Sequence, residues 1–484
     1  MITTALVKPS FYQDSVILLD LARQLSAAPG VLEAAALMAT PANRELLARS
    51  GLLAPEAATA GPNDLVIAVR ADSAAAVDGA RARAEAFFAA RSTRLAPGAA
   101  AAPRTIESAC RRFPEANLAL ISVPGAFAAA EARKAIRQGL HVMLWSDNVS
   151  LADEVALKRS ALARGRLVLG PDCGTAYLGG LPLGFANAVP RGRIGLAAAS
   201  GTGLQAVTCH LAAAGEGVSH AIGLGGRDLT DDVGALMLEP ALAALAADPD
   251  THVVCVIGKP PGPATAKKIR GALERLGKPW VAHFTGDSDL STARTLEDTA
   301  LAAAALARGA RHEPREFTLP DDAVSRLTKA VRASGARRFV RGVYAGGTLA
   351  QEAAGMLGVH VGDAGTGHRV TDLGDDAHTV GRPHPMIDGT VRREWIAREA
   401  EDGATAVILL DVVLGYGAHA DPAGELLPAI EEAVARGVRV IGSVCGTERD
   451  PQGLVAQIGM LERAGVVVMP SNAQAARLAI RATS

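Results

Sequence analysis

Aromatic residues make up only 3% of this 484-residue chain: three Trp, four Tyr and nine Phe. So few rings exclude a surface of stacking platforms for bases or sugars. Charge of one sign is not in excess either. Lys and Arg number 49 against 50 Asp and Glu, a formal net charge of −1. A general nucleic-acid binder or a membrane-surface protein would need a basic excess. Cysteine is scarce, with Cys110, Cys173, Cys209, Cys255 and Cys445 and no CxxC spacing. A zinc knuckle or disulfide framework is therefore not expected, nor is any metal site; reduced thiols in a cytoplasmic protein are. No uncharged apolar run reaches the ~18 residues of a membrane span. The alanine-rich stretch 299–307 is too short and too weakly apolar. The opening residues carry Lys8, Gln13 and Asp14 inside any apolar run, unlike a signal peptide.

Apolar residues are 49% and charged residues 20%, which fits a folded globular chain. The 51 Gly follow no Gly-X-Y period, which excludes collagen and points to many tight turns. Length alone suggests about three domains at ~150 residues each; patterning suggests four blocks. Residues 1–92 alternate strand and helix at short spacing, as in a small α/β or ferredoxin-like module, with Asp14 as a helix cap. STRLAPGAAAAP (92–103) reads as a linker. Residues 104–185 read βαβαβ, a Rossmann-like parallel unit. Residues 190–312 and 318–484 read as two doubly wound α/β modules. Ligands in such sheets lie beyond the carboxyl ends of the strands.

Two glycine loops fall there, Ser200-Gly201-Thr202-Gly203 and Gly346-Gly347-Thr348. Each follows an apolar strand and opens a helix, whose free N–H groups and partial positive charge suit phosphate or carboxylate. An ordinary strand–helix turn with a capping hydroxyl has the same appearance. A third loop, Gly223-Leu224-Gly225-Gly226-Arg227-Asp228, offers Arg227 either as an anion clamp or as a solvated loop residue. No G-x-x-x-x-G-K-[ST] loop and no complete G-x-G-x-x-G follows a strand, so no independent nucleotide site is expected.

The last block carries a polar segment from Asp372 to Asp388, followed by Gly415–Pro422 and Cys445–Gly453. Arg382, His384 and His419 are candidates to orient a small polar substrate, with Asp388 or Asp421 holding a histidine. A proline-shaped loop with caps and salt bridges is the other reading. Cys445 is either a nucleophile at a strand end or a small buried residue.

The order of motifs resembles the succinyl-CoA synthetase superfamily, and within it the FdrA family. GPDCGTAYLG resembles the turn that closes the CoA-binding domain of the synthetase α subunit. GRIGLAAASGTG and GLGGRDL resemble its next strand and glycine loops. YAGGTLAQEA resembles the glycine loop of the β subunit's carboxy-terminal domain. DSVILL, DLGDDAHTVGRPHPMID and CGTERDPQG are the FdrA-like features. The synthetases carry a phosphorylated histidine in a Gly-His-Ala-Gly loop after the strand matched here by KPWVAHFTG. This chain continues GDSDLSTARTLEDTA without one, and His283 falls on the strand itself. An ATP-grasp segment and the glycine phosphate loop of the CoA domain's first strand are also missing.

FdrA proteins resemble a subunit of oxamate carbamoyltransferase complexes, in which oxalurate and phosphate give oxamate and carbamoyl phosphate. That resemblance implies phosphate at Ser200–Gly203 and Gly346–Thr348, the substrate carboxylate on Arg382 or Arg227, and proton transfer by His384 or His419. It implies no resident cofactor, phosphate or carbamoyl phosphate as substrate, CoA as a further candidate ligand, and partner subunits of a carbamoyltransferase complex. A homo-oligomer is expected because closed symmetric assemblies are common. Two other functions fit the same residues. One is an ADP-forming acyl-CoA ligase subunit acting with a separate ATP-grasp chain; the other is a non-catalytic scaffold.

Overall fold

The computed structural model describes all residues except Tyr12, Asp14, 93–102, Asp287, Ala333, Ser334, Ala336, Ala364, Thr366, 380–382 and Ser484. The chain divides into two compact units: Met1–Ala102 with Asp375–Ile387, and Pro103–Gly374 with Asp388–Ser484. Among the described residues no helix is long and apolar enough to cross a membrane.

The first unit contains β1 (Ile2–Lys8), α1 (Ser15–Ser26), β2 (Val31–Met38), α2 (Pro41–Arg49), β3 (Leu65–Ala71) and α3 (Ala74–Ser92). β3 lies between β1 and β2 and runs antiparallel to both. Successive strand side chains point to opposite faces. Leu65, Ile67 and Val69 accordingly pack with Leu18, Leu21 and Phe88, while Val66 and Ala68 pack with Leu47 and Leu52. Both faces of a three-stranded sheet are thus covered. The fourth strand of a ferredoxin-like sheet is not present among the described residues. α2 was not expected from the sequence, although Thr40 caps it by accepting from the Asn43 N–H. The expected cap of α1, Asp14, lies outside the described residues.

The second unit opens with α4 (Ile106–Arg112), β4 (Leu118–Ile121), α5 (Gly125–Arg137), β5 (His141–Leu144), α6 (Leu151–Leu162) and β6 (Val168–Leu169). β4, β5 and β6 form a small parallel sheet. Next come β7 (Thr175–Leu178), β8 (Leu181–Gly184), β9 (Arg191–Ala198), α7 (Gly201–Ala213), β10 (Val218–Gly223) and α8 (Leu238–Ala247). β11 (Val253–Gly258), α9 (Pro263–Glu274), β12 (Trp280–Phe284) and α10 (Leu296–Ala307) follow. This sheet runs β12-β11-β9-β10-β7-β8. The hairpin β7–β8 had read as the end of the preceding block. It joins this sheet instead because Tyr177 pairs with Ala221 of β10.

The chain continues through α11 (Asp321–Val331), β13 (Phe339–Tyr344), α12 (Gly347–Leu357) and β14 (Arg369–Asp372). After the short α13 (Asp376–Thr379), which belongs to the first unit, come α14 (Thr390–Glu401), β15 (Thr405–Val413) and α15 (Pro422–Ala435). β16 (Arg439–Cys445), α16 (Leu454–Arg463), β17 (Val466–Met469) and α17 (Asn472–Thr483) end it. The order β14-β13-β15-β16-β17 is all parallel. Counted within the module, that is the flavodoxin-like order, and the parallel strands β9 to β12 follow the same scheme. The fold is therefore the expected α/β class with two doubly wound modules. In both, the first strand (β9 or β13) sits at the switch point, where neighbouring connections leave in opposite directions and open a crevice. The two glycine loops follow those two strands.

Candidate functional site

The loops meet. Ser200 caps α7, its Oγ accepting from the Gly203 N–H at 2.9 Å. The same Oγ lies 2.5 Å from the Thr348 Oγ1 at the start of α12. A Cβ on Gly203 would fall 2.4 Å from the Ser200 Oγ and 3.0 Å from the Thr348 Cγ2. One on Gly346 would fall 3.1 Å from the Thr202 Cβ. A side chain at Gly203 would displace the Ser200 cap, one at Gly346 would press on Asp411, and the contacts across to the other helix would be tight.

This junction is rich in unused donors. The Gly201 and Thr202 N–H groups of α7 and the Gly347 and Thr348 N–H groups of α12 have no partner among the described residues. α12 has no side-chain cap at all. The two hydroxyls share one hydrogen bond, which uses one of their two protons. The other proton remains to donate outward. Two helix N-termini thus meet at one contact, beside the Asp372 carboxylate that lies against Gly347, and free helix N–H groups of this kind suit an anion with several oxygens.

Below the loops lies a carboxylate that the sequence reading overlooked. Asp411 is fully buried on β15, and its oxygens accept from the Ala345 N–H at 2.9 Å and the Gly346 N–H at 2.8 Å. Arg392 of α14 pairs with it at 3.0 Å and also donates to the Val343 and Asp411 carbonyls. Burial pulls the Arg392 guanidinium below its usual range, against the attraction of Asp411. The signal was one acid inside the run AVILLDVVL, in a strand buried at every position.

The two modules are welded by satisfied polar groups. Asn187 donates to the Leu414 carbonyl at 2.9 Å and to Asp450 at 2.8 Å, and accepts from Gln205 of α7 at 3.0 Å. Asp450 also accepts from the N–H groups of Ala188 and Thr447. Glu352 of α12 accepts from the Leu296 N–H and from Asn472, each at 2.8 Å. Glu297 of α10 accepts from Ser471 and Gln474, each at 2.7 Å. These bonds hold α7 and α12 in mutual register, and none was read from the sequence.

The other expected site residues are placed elsewhere. Arg227 is committed to Glu154 at 2.8 Å and to the Val149 carbonyl at 2.7 Å. It belongs to a buried cluster in which Lys158 bridges Glu154 and Asp228. Burial raises the Asp228 carboxyl, opposed by Lys158. Cys445 is buried with its Sγ 3.9 Å from the Cys209 Sγ on α7. Burial pushes the Cys209 thiol well up, and Cys445, packed beside it and buried, fits the reading of a small buried residue. His419 is held by neither Asp388 nor Asp421. Its Nδ1 accepts from the Asp421 N–H at 3.1 Å and lies 3.8 Å from Glu425. Asp388 instead accepts from the Thr390 N–H, and Asp421 caps α15. His384 sits in the first unit, its Nδ1 accepting from the Met386 N–H at 3.2 Å. Arg382 lies outside the described residues. His283 is buried on β12, with Nδ1 against the Ala293 carbonyl.

An Escherichia coli protein named "Uncharacterized protein YahF" is 38% identical across 98% of this chain and 97% of its own length. The chain belongs to the FdrA family of the succinyl-CoA synthetase superfamily. A family model described as CoA-ligase matches residues 343–482 of this FdrA-like chain. The sulfoacetate-CoA ligase (ADP-forming) subunit SauD of Bilophila wadsworthia is 29% identical over 35% of the chain and 60% of that subunit. The α subunit of the ADP-forming succinate–CoA ligase of Methanothermobacter thermautotrophicus is 28% identical over 36% of the chain and 58% of that subunit. The chain thus spans about three fifths of the ligase subunits it matches. It is a CoA-ligase-like protein, similar to the α subunit of succinyl-CoA synthetase. Among solved structures, the apo dinucleotide-forming acetyl-coenzyme A synthetase 1 of Ca. Korarchaeum cryptofilum aligns with a TM-score of 0.31 and 16% identity, over 76% of this chain and 82% of that one.

A second family model, described as AllF, heavy metal-associated domain, matches residues 1–104. Those residues include no Cys and no His. The thiolate and imidazole ligands that usually hold a heavy metal are missing from this segment, and Met1 and Met38 are its two soft donors, so the residues do not make a full ligand set for that group.

Proposed function

We propose that this FdrA-family chain binds phosphate or an acyl phosphate between α7 and α12, as one subunit of an ADP-forming acyl-CoA ligase type of reaction whose ATP-grasp chain is separate. The observation that carries this reading is the contact of Ser200 with Thr348, which brings the start of α7, capped by Ser200 through the Gly203 N–H, against the uncapped start of α12. There the amides take phosphate oxygens, the outward hydroxyl proton adds one bond, and the fixed dipoles stabilise charge that builds as the acyl–phosphate bond forms or breaks. CoA, when bound, supplies the thiol that takes the acyl group from phosphate. Partner subunits and a homo-oligomer belong to the same proposal.

One observation favours a second reading. Residues 286–295, after β12, contain no histidine to carry a phosphoryl group. Phosphorolysis of an N-carbamoyl acid needs none: a phosphate oxygen attacks the carbamoyl carbon, the carbon–nitrogen bond breaks, and the leaving nitrogen takes a proton. The test is thermal unfolding of the full chain with phosphate, carbamoyl phosphate and CoA separately. Ligand at ~100 times its dissociation constant stabilises by about 2.7 kcal/mol. Shifts with both phosphate and CoA support the ligase reading. Shifts with the two phosphates and none with CoA support carbamoyl transfer. No shift with phosphate overturns both.

A further inference from the structure

We propose that Asp411 is the positioning residue of the phosphate loop: it holds the Ala345–Gly346 segment from below so that the first amides of α12 stay open to the ligand. The inference rests on the phosphate reading above and names the device that makes that site work.

Most helices satisfy their first free N–H groups with a Ser, Thr, Asp or Asn at the cap position. α12 has Gly346 there and no side-chain cap. Asp411 takes the two N–H groups that precede the helix, those of Ala345 and Gly346. The loop is thereby anchored without spending the Gly347 and Thr348 amides. An acid at position 346 itself would cap the helix and occupy the donors that an anion needs. The anchor also sets the distance to α7, because Gly346 is wedged between Asp411 and Thr202, 2.9 Å and 3.1 Å from where its Cβ would stand.

A bare carboxylate under an anion site would repel the ligand. Arg392, buried at 3.0 Å, cancels that charge. Apolar residues of similar volume often replace buried ion pairs at no cost in stability, so packing alone does not explain this pair. Its bonds to loop amides do.

The test measures phosphate affinity by thermal shift at constant ionic strength in the full chain. Two variants are compared with wild type: Asp411→Asn, and the double change Asp411→Ala with Arg392→Met, which leaves no unpaired buried charge if the single variant fails to fold. Both are expected to melt cooperatively while the apparent phosphate dissociation constant rises about tenfold or more, the loss of roughly one amide-to-anion hydrogen bond. A folded variant with wild-type phosphate affinity overturns the inference and leaves the phosphate reading standing. A wild-type chain indifferent to phosphate overturns that reading, and the inference falls with it.

Discussion

Ser200 and Thr348 are 148 residues apart in the chain, yet their hydroxyl oxygens lie 2.5 Å from each other. Each belongs to the first glycine loop of its own doubly wound module. On the proposed reading, the contact makes one anion site out of two weak anion signals.

Changing Ser200 to Ala or Thr348 to Val is expected to weaken phosphate binding by roughly threefold to tenfold each, and the pair less than additively, because the two share one hydrogen bond. Phosphate titrations of the melting temperature read this. Unchanged phosphate dependence in the double variant sinks the site.

Arg227→Ala is expected to leave phosphate binding unchanged, since the guanidinium is tied to Glu154. Lys158→Met behaves differently. It strands Glu154 and Asp228 in the interior and should cost about 3–5 kcal/mol in urea unfolding.

Asp450→Ala removes the acceptor of Asn187, Ala188 and Thr447 at once. Two buried donors and the part-buried Ala188 N–H then lose this partner, and a loss of about 3 kcal/mol is expected. Equilibrium unfolding of the variant measures it, and a loss within ~0.5 kcal/mol, the range of an ordinary surface change, would show that the weld is not needed.

Hydrogen bonds from Arg193, joined by Arg308, hold the Glu216 carboxyl below its usual 4.5. Its contribution to stability is full above about pH 4.5 and drains away as pH falls toward the lowered folded-state value. Both arginines are partly exposed, so roughly 1 kcal/mol is at stake. Glu216→Gln is expected to be less stable than wild type at pH 7, with the gap narrowing as pH falls below 4.5, as read by urea midpoints.

Cys445→Ala is expected to keep phosphate binding and to lose about 1 kcal/mol of stability from a small buried void. In the native chain Cys110, half-buried on α4, should react with a thiol reagent before Cys209 or Cys445 does. A fast-reacting Cys445 would restore it as a candidate nucleophile.

Local pattern made much of the fold legible. Short apolar runs ending in glycine marked β9 and β13, and Ser200 could be seen as a cap before α7 formed any contact. Pairing was less legible, since β7 lies next to β6 in the chain and next to β10 in the sheet. The two readings of Arg227 and of Cys445 could not be told apart in sequence for one reason. A residue's partner is set by elements 70 or more positions away, and sequence shows only its neighbours.

By itself, the sequence determined the α/β class, the two glycine loops, the want of a loop histidine after β12 and the want of cysteine and histidine in the first 104 residues. Each depends on composition or on local periodicity, which the chain carries before it folds. Only tertiary structure decided that the loops meet, that Asp411 and Arg392 support one of them, and that Asn187 and Asp450 lock the modules. Those are contacts between distant segments. They exist because two switch-point crevices face each other once the parallel sheets have formed.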